Sequence, residues 1–121
     1  MNKSSISILI PYKNTAEFLP DCIQSIIDQT HEDWEILAVN DHSTDNSVDI
    51  MYSYAQKDTR IKVLINEGKG IIEALRTAYS HSQGTYITRM DSDDVMSPNK
   101  LETMVNSLKN HGQGHVALGK V

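Results

Sequence analysis

The sequence predicts an α/β fold with a mostly parallel sheet and helices on both faces. Three observations point there. Short β-branched apolar runs alternate with stretches of helical apolar spacing. Polar, Gly- or Asp-rich turns follow each apolar run. The strand–helix spacing suits right-handed crossover units, which build parallel sheets. The chain has 121 residues, 39% of them hydrophobic and 22% charged, so it suits one small globular domain and not a disordered segment.

Ser5 to Pro11 reads as a buried first strand. Phe18, Leu19, Cys22, Ile23, Ile26 and Ile27 then recur at helical spacing. Thr15 is placed to open that helix. Pro20 has no N–H to donate, so the regular helix is expected to begin near it. Trp34 to Val39 is the second strand. Val48, Met51, Tyr54 and Ala55 mark one face of a second helix, with Asp45 as its expected N-cap. Arg60 to Ile65 is the third strand. Gly68 and Gly70 precede a third helix, whose inner face is expected to carry Ile71, Ile72, Leu75, Ala78 and Tyr79. After Gly84, Thr85 to Met90 forms the fourth strand. Ser97-Pro98 reads as N-cap and first helical residue, with Leu101, Met104, Val105 and Leu108 at i, i+3, i+4 and i+7. His115 to Val121 reads as the start of a fifth strand. Residues 1–121 thus form a single portion of a domain, and a stop inside a strand predicts a piece of a longer protein.

The net charge is −5, from 11 basic and 16 acidic residues, with no run of Lys or Arg. That disfavours a nucleic-acid or anionic-membrane surface. No stretch approaches the ~20 apolar residues that span a bilayer, and Ile6–Ile10 is too short for a signal-peptide core. A single cysteine, Cys22, excludes an internal disulfide. The expected setting is cytoplasmic, with peripheral attachment at the inner face of a membrane as an alternative.

The chemistry concentrates beyond the strand ends, where open parallel sheets bind ligands. The polar clusters are Pro11 to Asn14, Asp41 to Asp45, Asn66 to Gly70, and Asp91 to Asp94. Asp91, Asp93 and Asp94 put three carboxylates within four residues. Their mutual repulsion is tolerable when a cation occupies the site. Hard oxygen donors suit Mg²⁺ or Mn²⁺ bridging to a phosphate. As a plain surface feature, the same turn would be solvated, with Asp94 acting as a cap. Asp41 is placed to accept from a base N–H or a ribose hydroxyl, or else to organise its loop as an Asx-turn. Tyr12 offers a ring to stack on a base or to pack over the loop. Lys69, Arg76 and Arg89 are the basic residues nearest this edge. The five histidines show no metal-ligand spacing, and only His42 sits in a candidate loop.

Taken together, these segments resemble glycosyltransferase family 2. The matches are Ser7 to Asn14, Ser25 to Thr30, Glu35 to Ser47, and Gly84 to Asp94 with Pro98 beyond, in that order. The resemblance implies the Rossmann-like nucleotide-binding half of a GT-A fold and a nucleotide-diphospho-sugar donor, expected to be a UDP-sugar. It implies an acceptor that is a saccharide or lipid-linked hydroxyl, and inverting, metal-dependent transfer in polysaccharide or glycolipid synthesis. By position, Pro11, Tyr12 and Asn14 would meet the nucleoside and Asp41 would read the base. Asp91 would lie near the ribose, and Asp93 would hold Mn²⁺ or Mg²⁺. Two positions depart from the pattern. His42 replaces a glycine common after the base-reading Asp, and Arg76 stands one step later than is usual. The family's catalytic carboxylate is expected beyond residue 121, so this stretch alone is expected to be inactive. Self-association through an exposed edge strand or apolar patch is a further expectation. The alternatives are a nucleotidyltransferase, which would show a Gly-rich basic first loop, and a non-catalytic nucleotide-binding module. A receiver-like domain would need an acidic pair after the first strand.

Overall fold

The structure, a computed structural model, describes residues 6–110, with side chains described through residue 107. Four strands and four helices alternate: β1 (Ile6–Tyr12), α1 (Leu19–Ile27), β2 (Trp34–Asn40), α2 (Ser47–Lys57), β3 (Ile61–Ile65), α3 (Gly70–Ser80), β4 (Tyr86–Arg89) and α4 (Lys100–Asn110). The sheet order is β3-β2-β1-β4. Every pairing is parallel, with Ile8 opposite Ile36 on one side and Thr88 on the other. The predicted architecture is therefore present. The expected fifth strand, His115 to Val121, lies outside the described residues, as does the Leu108 side chain.

The central strands β1 and β2 are buried on both faces, which explains their nearly unbroken apolar runs. Alternate side chains divide the core. Ile6, Ile8, Ile10, Trp34, Ile36 and Ala38 pack with residues of α1, α2 and α4 on one face. Leu9, Leu37 and Val39 meet Ala74 and Ala78 of α3 on the other. Pro11 fits a central strand because of where its missing N–H would point. The Leu9 carbonyl bonds towards Met90 and the Tyr12 carbonyl towards Asp41. Alternation then turns position 11 towards β4, just past the last β1–β4 pair, Leu9 with Arg89.

A polar knot closes the other end of the sheet. Glu35, with a side chain only 3% exposed, accepts from the Ser7 hydroxyl at 2.6 Å, Gln83 N–H at 2.6 Å and Lys62 Nζ at 2.9 Å. Gly84 N–H donates to the same Ser7 hydroxyl at 2.8 Å. The backbones meet so closely there that a Cβ on Gly84 would lie 2.7 Å from Ser7 N.

Several local expectations are corrected. The first helix begins at Leu19, next to Pro20 as expected, but Phe18 points to solvent. The N-cap of α2 is Asn46, not Asp45, whose carboxylate instead accepts the Ser47 and Ala16 N–H groups. Ser97 opens a turn that contains Pro98, closed by Lys100 N–H on the Ser97 carbonyl, and α4 starts at Lys100. The largest change is in α3, which buries Ala74, Thr77 and Ala78 while Ile71, Ile72 and Tyr79 face outward. The small residues let α3 approach β1 and β2 closely, and this turns its bulky residues past the sheet. There Ile72 and Tyr79 border a groove of about 350 Å³ with Leu9, Leu75 and Ile87. Among the described residues β4 pairs only with β1, so its outer edge is open beside that groove.

Candidate functional site

Because all four strands are parallel, all four carboxyl ends lie at one edge. The loops that follow them are 13–18, 41–46, 66–69 and 90–99. The polar clusters predicted from the sequence fall in these loops, except that Pro11 and Tyr12 belong to β1 and Gly70 to α3.

The first two loops are stitched together. Asn14 takes a left-handed backbone (φ 53), which asparagine tolerates well. Its side-chain oxygen accepts Thr44 N–H at 2.7 Å and Asp45 N–H at 3.2 Å. In return Asn14 N–H donates to Ser43 Oγ at 3.0 Å, and Thr15 N–H to Ser47 Oγ at 3.0 Å. Asn14 thus builds the edge with its carbonyl and leaves its amide NH₂ exposed. Tyr12 departs from expectation. It is 2% exposed, and burial raises its hydroxyl pKa. Its ring packs into the core between sheet and helices, so the stacking role is withdrawn. Pro11 is buried too. Only backbone of this pair is positioned to meet a ligand.

Asp41 follows β2 and is half-buried. Its Oδ1 accepts Asn66 Nδ2 at 2.8 Å and Gly70 N–H at 3.1 Å. Gly70 opens α3 at φ +89, a backbone that glycine adopts without strain. Asn66 also accepts Gly68 N–H through its own side-chain oxygen. Asp41 therefore ties the third loop to the second with one oxygen. Among the described residues, its Oδ2 takes no hydrogen bond.

The fourth loop carries the acidic turn. Met90 N–H donates to Leu9 O, extending the β1–β4 ladder by one step, and Asp94 N–H closes the turn on Asp91 O at 3.1 Å. The Cys22 thiol, buried in α1, lies 3.8 Å from the same Asp91 carbonyl. Burial and then the carboxylates of Asp94, Asp93 and Asp91 push that thiol up to about 12. It is a neutral anchor for the turn and not a nucleophile. Oxygens of Asp91, Asp93 and Asp94 all lie within 4.8 Å of one another. Desolvation, then Asp93 and Asp91, raise the Asp94 carboxyl above its ordinary value. Arg89 reaches Asp91 Oδ1 at 3.2 Å, but both side chains are well exposed and the pair is weak.

Sequence reasoning placed Asp41, Asp91 and Asp93 at this edge, and they are there. It counted Asp94 with Asp91 and Asp93 as one acidic cluster, with a cap as the alternative, and the three carboxylates do lie together. It placed Asn66 in a polar cluster at this edge but gave it no role, although an asparagine at a strand end followed by Gly68 and Gly70 is a turn signature. Arg76 lies beside the groove, paired loosely with Glu73 at 3.8 Å.

Comparison with known proteins identifies the family and supports the fold. Residues 7–120 match the model of glycosyl transferase family 2. The chain is 38% identical to glycosyltransferase GlyG of Streptococcus pneumoniae over 105 residues, covering 86% of this chain and 35% of that one. It is 37% identical to the putative teichuronic acid biosynthesis glycosyltransferase TuaG of Bacillus subtilis, covering 83% and 40%. It thus spans little more than a third of these relatives. The fold superposes on S. aureus TarS 1-349 in complex with UDP (TM-score 0.81, 23% identity, 88% of this chain and 32% of that one). It also superposes on the mannosyltransferase PcManGT of Pyrobaculum calidifontis in complex with GDP-Man and Mn²⁺ (TM-score 0.70, 21% identity, 78% and 29%).

Proposed function

The chain belongs to glycosyl transferase family 2, and from that premise we propose that it forms the donor-nucleotide half of a metal-dependent, inverting glycosyltransferase using a nucleotide-diphospho-sugar. The observation that carries this reading is the convergence at one sheet edge of an Asp41 oxygen without a hydrogen-bond partner among the described residues and a group of three carboxylates.

In this reading Asp41 Oδ2 accepts the ring N–H of a uracil, while its Oδ1 keeps the third loop in place. Asn14 presents its amide NH₂ to the nucleoside, and the Pro11–Tyr12 backbone borders it. Asp91 faces the ribose. The donor set fits a hard divalent ion, Mn²⁺ or Mg²⁺: it is all carboxylate, closely spaced, and self-repelling without a cation. Asp93 would hold the ion, with Asp94 as a second donor. When bound, the ion supplies Lewis-acid stabilisation of the departing nucleoside diphosphate. TarS bound to UDP and PcManGT bound to GDP-Man and Mn²⁺ support a nucleotide and a metal here. The acceptor hydroxyl, on a saccharide or a lipid-linked glycan, would attack the anomeric carbon as the bond to the diphosphate breaks. A carboxylate beyond residue 121 would take its proton. No described helix is long and apolar enough to cross a membrane, and a cytoplasmic setting belongs to the proposal.

Calorimetric titration of UDP, with and without Mn²⁺, beside an Asp93→Ala variant tests the reading. Metal-dependent binding that disappears in the variant is expected. Binding indifferent to both metal and Asp93 would overturn it.

A further inference from the structure

Resting on that nucleotide-site reading, we propose that His42 is a positioning residue that sets base selectivity, by latching the loop between β3 and α3 against Asp41. His42 takes a left-handed backbone, φ 60. Among residues 6–110 only Asn14 shares that feature without being glycine. A histidine there is strained relative to glycine, so its side chain is what its presence adds. The ring Nε2 lies 2.8 Å from the Gly68 carbonyl oxygen. A carbonyl only accepts, so Nε2 carries the hydrogen and donates.

The bond crosses from the loop after β2 to the loop after β3. Three further bonds span or brace the same gap. Asn66 N–H donates to Asn40 O at 3.0 Å, Asn66 Nδ2 to Asp41 Oδ1 at 2.8 Å, and Gly70 N–H to the same oxygen at 3.1 Å. These three grip the two ends of the loop. Within the loop Gly68 N–H donates to Asn66 Oδ1 at 3.0 Å, but among the described residues only His42 ties its middle, at Gly68, to the neighbouring loop. Without it, Gly68 is held only from within its own loop, by Asn66, so Gly68 and Lys69 gain room to shift against the Asp41 loop, and with them the Gly70 N–H that orients the Asp41 carboxylate. A base read by the other oxygen of that carboxylate would then be read less sharply. The effect is on the angle and placement of an acceptor, so it should fall mainly on discrimination between bases whose ring N–H groups lie in different positions, such as uracil and guanine.

Two variants separate the ring from the backbone. His42→Gly removes the ring bond and also the left-handed strain, so it is expected to fold at least as well as the parent. His42→Asn tolerates the same backbone, but its side chain is too short to reach Gly68. UDP, GDP and dTDP are titrated with Mn²⁺ into the parent, both variants and Asp41→Ala, with thermal melts alongside. The expected result is a loss of roughly fivefold in affinity for the preferred nucleotide, the worth of about one hydrogen bond. Selectivity should narrow in both variants, with melting temperatures at or above the parent's. Unchanged selectivity in both variants, while the parent binds and Asp41→Ala does not, would overturn the latch and leave the nucleotide site standing. His42→Asn behaving as the parent would assign the effect to the backbone and overturn the latch equally. A parent that binds none of the three, with Asp41→Ala indistinguishable from it, would sink the nucleotide site and the latch together.

Discussion

Replacing Asp41 by Asn and by Ala separates its two oxygens. In the structure Oδ1 accepts from Asn66 Nδ2 and Gly70 N–H, while Oδ2 has no partner among the described residues. Asparagine keeps an acceptor at Oδ1 and can preserve both bonds, but it places a donor where the free oxygen was. Alanine removes everything and leaves two N–H groups of a part-buried loop without an acceptor. Such orphaned donors cost ~1–3 kcal/mol each when fully buried, and partial exposure puts this pair near the low end. Asp41→Ala is therefore expected to lose about 1–2 kcal/mol of stability, roughly 4 °C or more in Tm for a domain of this size. Asp41→Asn should stay within about 0.5 kcal/mol of the parent. Binding should behave oppositely. A hydrogen bond to a charged group is worth ~1.5–3 kcal/mol, so both variants should bind UDP roughly 10- to 150-fold more weakly. The assays are thermal melts and calorimetric titration with Mn²⁺. Asp41→Asn that binds UDP as the parent does would refute the ligand role of Oδ2. Asp41→Asn as unstable as Asp41→Ala would refute the division of labour between the oxygens.

Other outcomes are expected away from the edge. Burial raises the Glu35 carboxyl, but the bonds from Ser7, Gln83 and Lys62 outweigh it and hold the group below its ordinary 4.5. A depressed carboxyl stabilises the fold above the unfolded value, and that stability is lost as pH falls through the folded one. The gap in Tm between parent and Glu35→Gln should accordingly be widest at neutral pH and shrink below pH 4.5; a constant gap from pH 7 to pH 3 would contradict this. At Gly84 an added Cβ would meet Ser7 N and Oγ at 2.7 Å. Gly84→Ala should therefore cost ~1–3 kcal/mol or more, seen as a lower midpoint in urea; an unchanged midpoint would mean the two chains separate there at little cost.

Much of the fold was legible because hydrophobic periodicity reports burial directly. β1 and β2 read as continuous apolar runs because both faces are covered, and the loops read as Asp-, Asn- and Gly-rich turns. The sheet edge as a site followed from that alternation, since parallel strands must end together. Helix faces were harder. Ile71, Ile72 and Tyr79 satisfy a helical spacing, yet α3 turns Ala74, Thr77 and Ala78 inward. Periodicity finds a stripe but does not say whether small residues or large ones permit the closer approach. Tyr12 failed for a related reason, because one further residue of strand carried its ring into the core.

The sequence by itself determined the strand–helix order, the parallel sheet and the polarity of its ligand edge, along with Asp41, Asp91 and Asp93 as the residues to watch. These follow from local pattern and chain connectivity. Only the tertiary structure decided which atoms were already spoken for. It committed one oxygen of Asp41 to Asn66 and Gly70 and spent the carbonyl of Asn14 on the neighbouring loop. It also set the His42 ring on Gly68. Hydrogen-bond partners 25 to 30 residues apart depend on register and loop closure in three dimensions, and no local pattern encodes them.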